Sequence, residues 1–323
     1  MSFFSLLLAL LIEQARPLAR GNPVHAGMRS WLRRVVRKID AGEPTHGWLA
    51  WSFAVLLPSG ITVLVYWLLC EFVGWPVAML WSVAVLYATL GFRQFSHHFT
   101  GIRDALEAGQ EEEARRLLAE WRQIDASELP QREILRHAIE FSVLAAHRHV
   151  FGVLSWYIVL AALGLGPAGA VLYRLSEFVT RYWPHVSRRQ APTVSAAACA
   201  AAARAWWWVD WLPARITALG FAVVGSFEDA VDNWRRYESL SGSEGPGSND
   251  GLIVAATAGA INVRLGTPAM AQGETQAQAD MPAASARHEP QLAHLRSIVG
   301  LVWRSVVLWM LLLALLTLAR LIG

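Results

Sequence analysis

Two hydrophobic patterns alternate along this chain. In the first, apolar residues run almost unbroken, from Trp48 to Phe92, from Val150 to Tyr173 and from Ile298 to Ile322. Glu71 and the Gly74-Trp75-Pro76 break divide the first of these into segments 49–70 and 76–92. A full membrane span needs about 20 apolar residues, so this pair predicts a transmembrane hairpin. Ile298 to Ile322 predicts a final span, with Arg304 and Arg320 able to snorkel toward the two interfaces. Ser2 to Ile12 is apolar but shorter, with no basic stretch before it and no small-residue cleavage site after it. It predicts a retained, partly inserted helix rather than a signal peptide.

In the second pattern, apolar residues recur at i, i+3 and i+4 among charges, the period of an amphipathic helix. Trp31, Leu32, Val35, Val36 and Ile39 do so within Arg16 to Lys38, a stretch with seven basic side chains and no acid. The positive-inside rule places that stretch in the cytoplasm, as a helix lying on the inner membrane surface. Between Arg93 and Arg148 the same period returns through Ile102, Leu106, Leu117, Leu118, Trp121, Ile134, Leu135 and Ile139. Gly109 and Pro130 punctuate it, so three soluble helices are expected. Glu111, Glu112 and Glu113 open the second helix, where carboxylates suit the positive end of the dipole.

Val150 to Tyr173 is interrupted by GLGPAG at Gly164 to Gly169 and flanked by arginines on both sides. A segment with two cytoplasmic flanks dips in and returns at the break; a single long tilted span is the alternative. Ser195 to Ala205 is alanine-rich, which suits close helix packing. Ser241 to Ser248 reads as a flexible loop and Asn249 to Gly266 as a compact small-residue helix. Thr267 to His294 has no period and reads as a flexible linker. The fold class expected is an all-α integral membrane helical bundle with cytoplasmic amphipathic helices. Its segments are 1–92 (apolar helix, basic loop, hairpin), 93–148 (cytoplasmic helices), 149–266 (membrane-associated core), 267–297 (linker) and 298–323 (final helix).

Composition supports the membrane reading. Of 323 residues, 54% are apolar and only 16% charged, against about a quarter charged in soluble domains. The net charge of +3 rests on arginine, since Lys38 is the only lysine. The basic residues border apolar segments, so they argue for membrane orientation and against nucleic-acid binding. Cys70 and Cys199 lie in apolar surroundings and read as small buried hydrophobes, not a disulfide or a metal pair. Adjacent His97 and His98 point about 100° apart on a helix, and the other histidines lack ligand spacing, so no metal site is expected. No P-loop, GxSxG, HExxH or CxxC motif is present.

One stretch fits neither pattern. Arg204 to Trp234 reads RAWWWVDWLPARITALGFAVVGSFEDAVDNW and carries Asp210, Pro213 and Arg215 inside an apolar run. Ionisable groups in such a run are costly and usually face a protein interior or a cavity. Asp210 and Arg215 lie about 140° apart around a helix, with a helix-distorting proline between them. They are either a site or a pair that fixes helix packing.

ALEAGQEEEARRLLAEW, VDWLPARITAL and NDGLIVAATAGAINVRLG follow one another along the chain, and together they resemble the CobD/CbiB family of cobalamin-biosynthesis membrane proteins, to which AmpE of β-lactamase induction is related. ALEAGQEEEARRLLAEW at Ala105 to Trp121 is similar to the family's AL-x-x-GD-x-x-x-AR-x-x-L segment. VDWLPARITAL resembles its D-x-x-x-x-IPARLTA signature, through Asp210, Pro213, Arg215 and Thr217. NDGLIVAATAGAINVRLG resembles N-x-G-x-x-x-A-A-x-AGALGVRLGG, through Asn249, Gly251, Ala258, Gly259 and Arg264.

The resemblance implies a multi-pass protein of the bacterial inner (plasma) membrane. It implies amide ligation of aminopropanol, or its phosphate, to adenosylcobyric acid, giving adenosylcobinamide or its phosphate. ATP and magnesium are the implied cofactors, a corrinoid the implied substrate. Asp210, Arg215 and Glu140 are the implied catalytic residues, with Asp210 serving magnesium and Arg215 serving phosphate or carboxylate. Asn249, Gly251 and Arg264 are the implied substrate-binding residues. Leu144, Ala145 and Arg148 stand where the family has Glu, Asn and Asp. Those departures leave a second expectation open: a non-catalytic, AmpE-like membrane sensor or regulator, meeting membrane lipid and protein partners through residues 93–148.

Overall fold

The computed structural model describes residues 2–16, 23–189, 194–241, 247–266 and 288–322. Most of the predicted loop at Ser241 to Ser248 and of the linker after Gly266 lies outside the described residues. The described chain is all-α. In order it forms α1 (Ser2–Ala15), α2 (Pro23–Ile39), α3 (Pro44–Phe72), α4 (Trp75–Thr89), α5 (Phe92–Glu107), α6 (Glu111–Arg122) and α7 (Gln131–Ala146). A π-helical turn, His147–Phe151, leads into α8 (Gly152–Ala162). Then come α9 (Ala168–Arg189), α10 (Ala196–Val224), α11 (Phe227–Ser241), α12 (Asn249–Ala260) and α13 (Leu292–Ile322).

Among the described residues, Pro44–Phe72, Gln131–Ala162 and Leu292–Ala319 are long and apolar enough to cross a membrane. Leu49, Leu56, Ile61, Leu64 and Leu68 of α3 stay exposed, as do Val307, Leu311, Leu315 and Leu318 of α13. Apolar rows of that kind are covered by lipid. Three expectations need correction. The second arm of the hairpin stops at Thr89 and has only 15 residues. The last helix begins at Leu292, six positions before the expected span. Gln131–Ala162 runs on through the π turn, where the charge pattern ended a soluble helix near Arg148.

The chain packs as two units. One comprises residues 1–92, 148–213 and 313–323; the other comprises 93–147 and 214–312. The expected 149–266 core is thus shared between them at Pro213. The first unit is built on a cluster from α2, α3, α9 and α10, including Leu32, Val36, Trp51, Val179, Trp183 and Ala202. The apolar stripe of α2 is therefore spent on protein, not laid on a lipid surface. An amphipathic stripe of this width satisfies either environment. Gly47 lets α3 approach the backbone of Ala197 and Ala198, and Asp40 accepts from the N–H and hydroxyl of Ser195 at 2.8 and 2.7 Å. The chain reverses at the GLGPAG break, because Gly152 packs against Tyr173 and Gly169 against Trp156, an antiparallel register for α8 and α9.

One device serves two of the prolines inside helices of this unit, Pro58 and Pro213. Proline has no N–H, so the carbonyl four residues earlier loses its helical partner. For Pro58 that carbonyl belongs to Ala54, and the Trp31 indole donates to it at 3.2 Å. For Pro213 it belongs to Val209, and the Trp156 indole donates to it at 2.8 Å. Two tryptophans thus complete two interrupted helices. Trp156→Phe is expected to cost about 1–3 kcal/mol, the penalty of a carbonyl left unsatisfied. In a Pro213→Ala background, where the substituted alanine supplies the missing N–H, the same change should cost under about 0.5 kcal/mol. Thermal unfolding of the four proteins in one detergent measures the difference.

In the second unit α11 and α12 pack face to face. Gly259 lies against the backbone of Asp229 and Ala230, and Gly225 against Ala260. Contacts this close explain the small residues of the Asn249–Gly266 stretch. Almost every side chain of α12 is buried.

Candidate functional site

The sequence of α7 spaces Arg132, Arg136 and Glu140 four apart, which puts them on one helical face. Opposite that face runs a short strap after α12. Asn262 has φ +53°, which turns the chain out of the helix. Val263 bridges in parallel to His288, with Arg264 N–H donating to His288 O at 3.0 Å and His288 N–H to Asn262 O at 3.3 Å. Gly266 has φ +112°, a conformation side chains rarely adopt.

α7 grips both backbone groups of that glycine. The Gly266 N–H donates to Glu140 Oε1 at 2.9 Å, and Arg136 Nη1 donates to Gly266 O at 2.9 Å. Glu133 pairs with Arg136 at 2.5 Å. On the other side of Glu140, His137 lies 3.8 Å away and accepts from Arg122. Arg132, Arg136 and Arg264 then open on a cavity of about 170 Å³, with Glu133, Glu289 and Gly266 also in its wall. Arg132 and Glu289 stand 3.9 Å apart across it. Three arginines lining this small cavity could meet a phosphate or carboxylate with paired N–H donors.

Of the six sequence-predicted residues, the five that belong to the second unit do not gather in one place. Glu140 and Arg264 meet at the cleft. Arg215 pairs with Glu238 of α11 at 3.2 Å. Asn249 and Gly251 lie at the start of α12, where Ser248 caps the helix by accepting from the Gly251 N–H at 2.9 Å. A side chain at 251 would collide with the Tyr237 ring, so this glycine serves close approach. The 12-residue α12 separates that end from the cleft by about 18 Å. Asp210 belongs to the first unit, fully buried, and Tyr173 Oη donates to its Oδ1 at 2.8 Å. Thr217, also part of the signature that contains Asp210, bonds the buried His147 ring at 2.9 Å.

Sequence reasoning missed two groups. Arg132 and Arg136 were legible only as an i, i+4, i+8 row ending in Glu140. In the first unit, buried Glu177 is engaged by Arg174 at 3.0 Å and Arg181 at 2.8 Å. Burial alone would raise its pKa, but Arg181 and Arg174 outweigh that and hold the carboxyl down to about 2. Its ordinary value is 4.5, so its contribution to stability is complete above that pH and fades as pH falls from 4.5 toward 2. Glu177→Gln should cost roughly 3–5 kcal/mol at neutral pH by stranding Arg174. It should also flatten the acid limb of the unfolding-midpoint profile below pH 4.5.

Comparison with known proteins covers the same elements. The family model for the CobD/Cbib protein matches residues 3–302. The cobalamin biosynthesis protein CobD of Stutzerimonas stutzeri is 33% identical over 272 residues, which is 84% of this chain and 82% of the relative. The protein of that name from Chromobacterium violaceum is 32% identical over 227 residues, covering 70% and 67%. The one from Leptospira interrogans is 25% identical over 270 residues, covering 81% and 80%. No solved structure is significantly similar to the chain. The matched region contains α7, the strap and Glu289, every part that builds the arginine cleft, and over that whole length the chain belongs to the CobD/Cbib protein family.

Proposed function

We propose that this protein acts in cobalamin biosynthesis, in the bacterial inner membrane, by joining aminopropanol or its phosphate to adenosylcobyric acid. The observation that carries the reading is the family match over residues 3–302. The arginine cleft supports the reading, because both the carboxylate and the phosphates involved are anions.

Forming the amide requires that a carboxylate oxygen leave, and ATP with magnesium supplies that activation when bound, as a phosphoryl group on the carboxylate. The amine then forms the C–N bond, the C–O bond breaks, phosphate departs and the nitrogen releases a proton. Arg132, Arg136 and Arg264 neutralise the phosphoryl charge, the main demand in such transfers. Magnesium on nucleotide phosphates takes only one or two protein carboxylates, and Glu133 and Glu289 in the cleft wall fit that role. No cluster of three or more His, Cys, Asp or Glu poised for a metal occurs among the described residues. Asp210, buried against Tyr173, has no part in this scheme.

Expression in a strain lacking its own cobinamide-forming enzyme, fed cobyric acid, is expected to restore cobalamin-dependent growth. Absence of growth, with the protein present in the membrane, would refute the ligase reading. The substitutions at Leu144, Ala145 and Arg148 would then favour the regulatory one, which deletion and a β-lactamase induction assay would examine.

A further inference from the structure

The two ends of the first unit differ in charge. At one end Gly166 packs on the Tyr66 ring, and the Trp67 indole donates to Gly164 O at 2.8 Å. The stretches that meet there, 60–76 and 157–173, carry Glu71 as their only charge. At the other end α3 begins, with Gly47 against Ala197 and Ala198, and Asp40 holds Ser195. α2 and α9 finish at this end and bring Arg33, Arg34, Arg37, Lys38, Arg188 and Arg189. Asp40 and Glu43, acids of the same end, face Ser195 and His46. The positive-inside rule makes this the cytoplasmic end. The exposed apolar row of α3 starts here too, with Trp48 and Leu49, so the basic residues stand at headgroup level.

A cavity of about 230 Å³ lies at this end between α2 and α9. Its polar members are Arg33, Arg37 and Tyr182, and Leu32, Val36 and Trp183 are among its apolar ones. The two arginines are four apart, neighbours on one helical face. Arg37 Nε donates to Arg33 O at 3.3 Å, and neither side chain forms an ion pair among the described residues. A phosphate ester fits this mixed wall, with its oxygens on the guanidiniums and its carbons on the apolar side chains. We propose that the cavity seats the phosphate of an anionic phospholipid of the cytoplasmic leaflet between Arg33 and Arg37, with the glycerol carbons against Leu32, Val36 and Trp183. A zwitterionic head would add an ammonium to an end that already carries Arg34, Lys38 and Arg188. The site shares no residue with the arginine cleft, so it stands or falls apart from the ligase reading.

The test uses the full chain in detergent, native mass spectrometry, and phosphatidylglycerol against phosphatidylethanolamine of identical acyl chains. Wild type should retain phosphatidylglycerol with about tenfold preference, the effect expected of one or two cations near an anionic head. Arg33 and Arg37 are exposed, so replacing both by Gln leaves the packing of α2 intact and should bring the two lipids close to parity. Arg34→Gln with Lys38→Gln removes the same charge from α2 outside the cavity wall, and should keep the preference within about twofold. Equal retention of the two lipids by wild type would overturn the proposal, as would an unchanged preference in the Arg33 and Arg37 double variant. An equal loss in both double variants would show diffuse charge with no site, and would overturn it too. Displacement of the lipid by millimolar glycerol phosphate would do the same, by assigning the arginines to a soluble phosphate ester.

Discussion

Arg264→Ala is expected to lower ligase activity by about 10²–10³-fold, the usual cost of losing one preorganised donor to a developing oxyanion. The strap holds Arg264 in the cleft wall through the His288 bridge and the Gly266 clamp, so its guanidinium is placed before substrate arrives. Arg264→Lys should recover only part of the loss, because an ammonium cannot make the paired contact of a guanidinium. The fold should be unaffected, since the side chain is only half-buried. A growth-restoration assay, followed by initial rates in membranes containing equal protein, measures both variants. Activity within threefold of wild type in Arg264→Ala would remove the cleft from the reaction.

Glu140 offers the second large effect, and its sign separates two roles. If the carboxylate is a general base or a magnesium ligand, Glu140→Gln and Glu140→Ala should be equally inactive. The geometry makes it a clamp instead, because it accepts from the Gly266 N–H at 2.9 Å, which a glutamine oxygen can also do. Glu140→Gln should therefore stay within about threefold of wild type, while Glu140→Ala releases the strap and loses about 10²-fold, the cost of a displacement near 1 Å. Arg136→Ala, which frees the Gly266 carbonyl, should resemble Glu140→Ala. Rates at saturating and limiting substrate, measured on all three, show whether the loss lies in binding or in turnover.

The helices were legible from periodicity because an i, i+3, i+4 row or an unbroken apolar run leaves few alternatives. Where each row faces was not. The stripe Trp31, Leu32, Val35, Val36 suits a lipid interface as well as a protein core, and only the contact with α3 and α9 decides for the core. The apolar run around Asp210, Pro213 and Arg215 stood out because each of those residues needs a partner. The partners are Tyr173, Trp156 and Glu238, at sequence separations of 37, 53 and 23 for the bonds concerned. No local pattern encodes such pairings.

The cleft was half legible. Arg264 and Glu140 could be named from resemblance, but their function as wall and clamp follows from the positive φ of Gly266 and its two hydrogen bonds. Arg132 and Arg136 escaped notice because arginines on a soluble amphipathic helix are ordinarily solvated. Their spacing with Glu140 acquires meaning only once the strap is laid against α7.

The most direct measurement is product formation by the purified protein in liposomes, given adenosylcobyric acid, aminopropanol phosphate, ATP and magnesium. Mass spectrometry should find the amide adenosylcobinamide phosphate, with one ATP hydrolysed per amide, and Arg264→Ala should form it at least about a hundredfold more slowly. Amide formation that proceeds unchanged in Arg264→Ala, or its absence in folded wild-type protein, would contradict the assignment of the arginine cleft as the seat of a ligase.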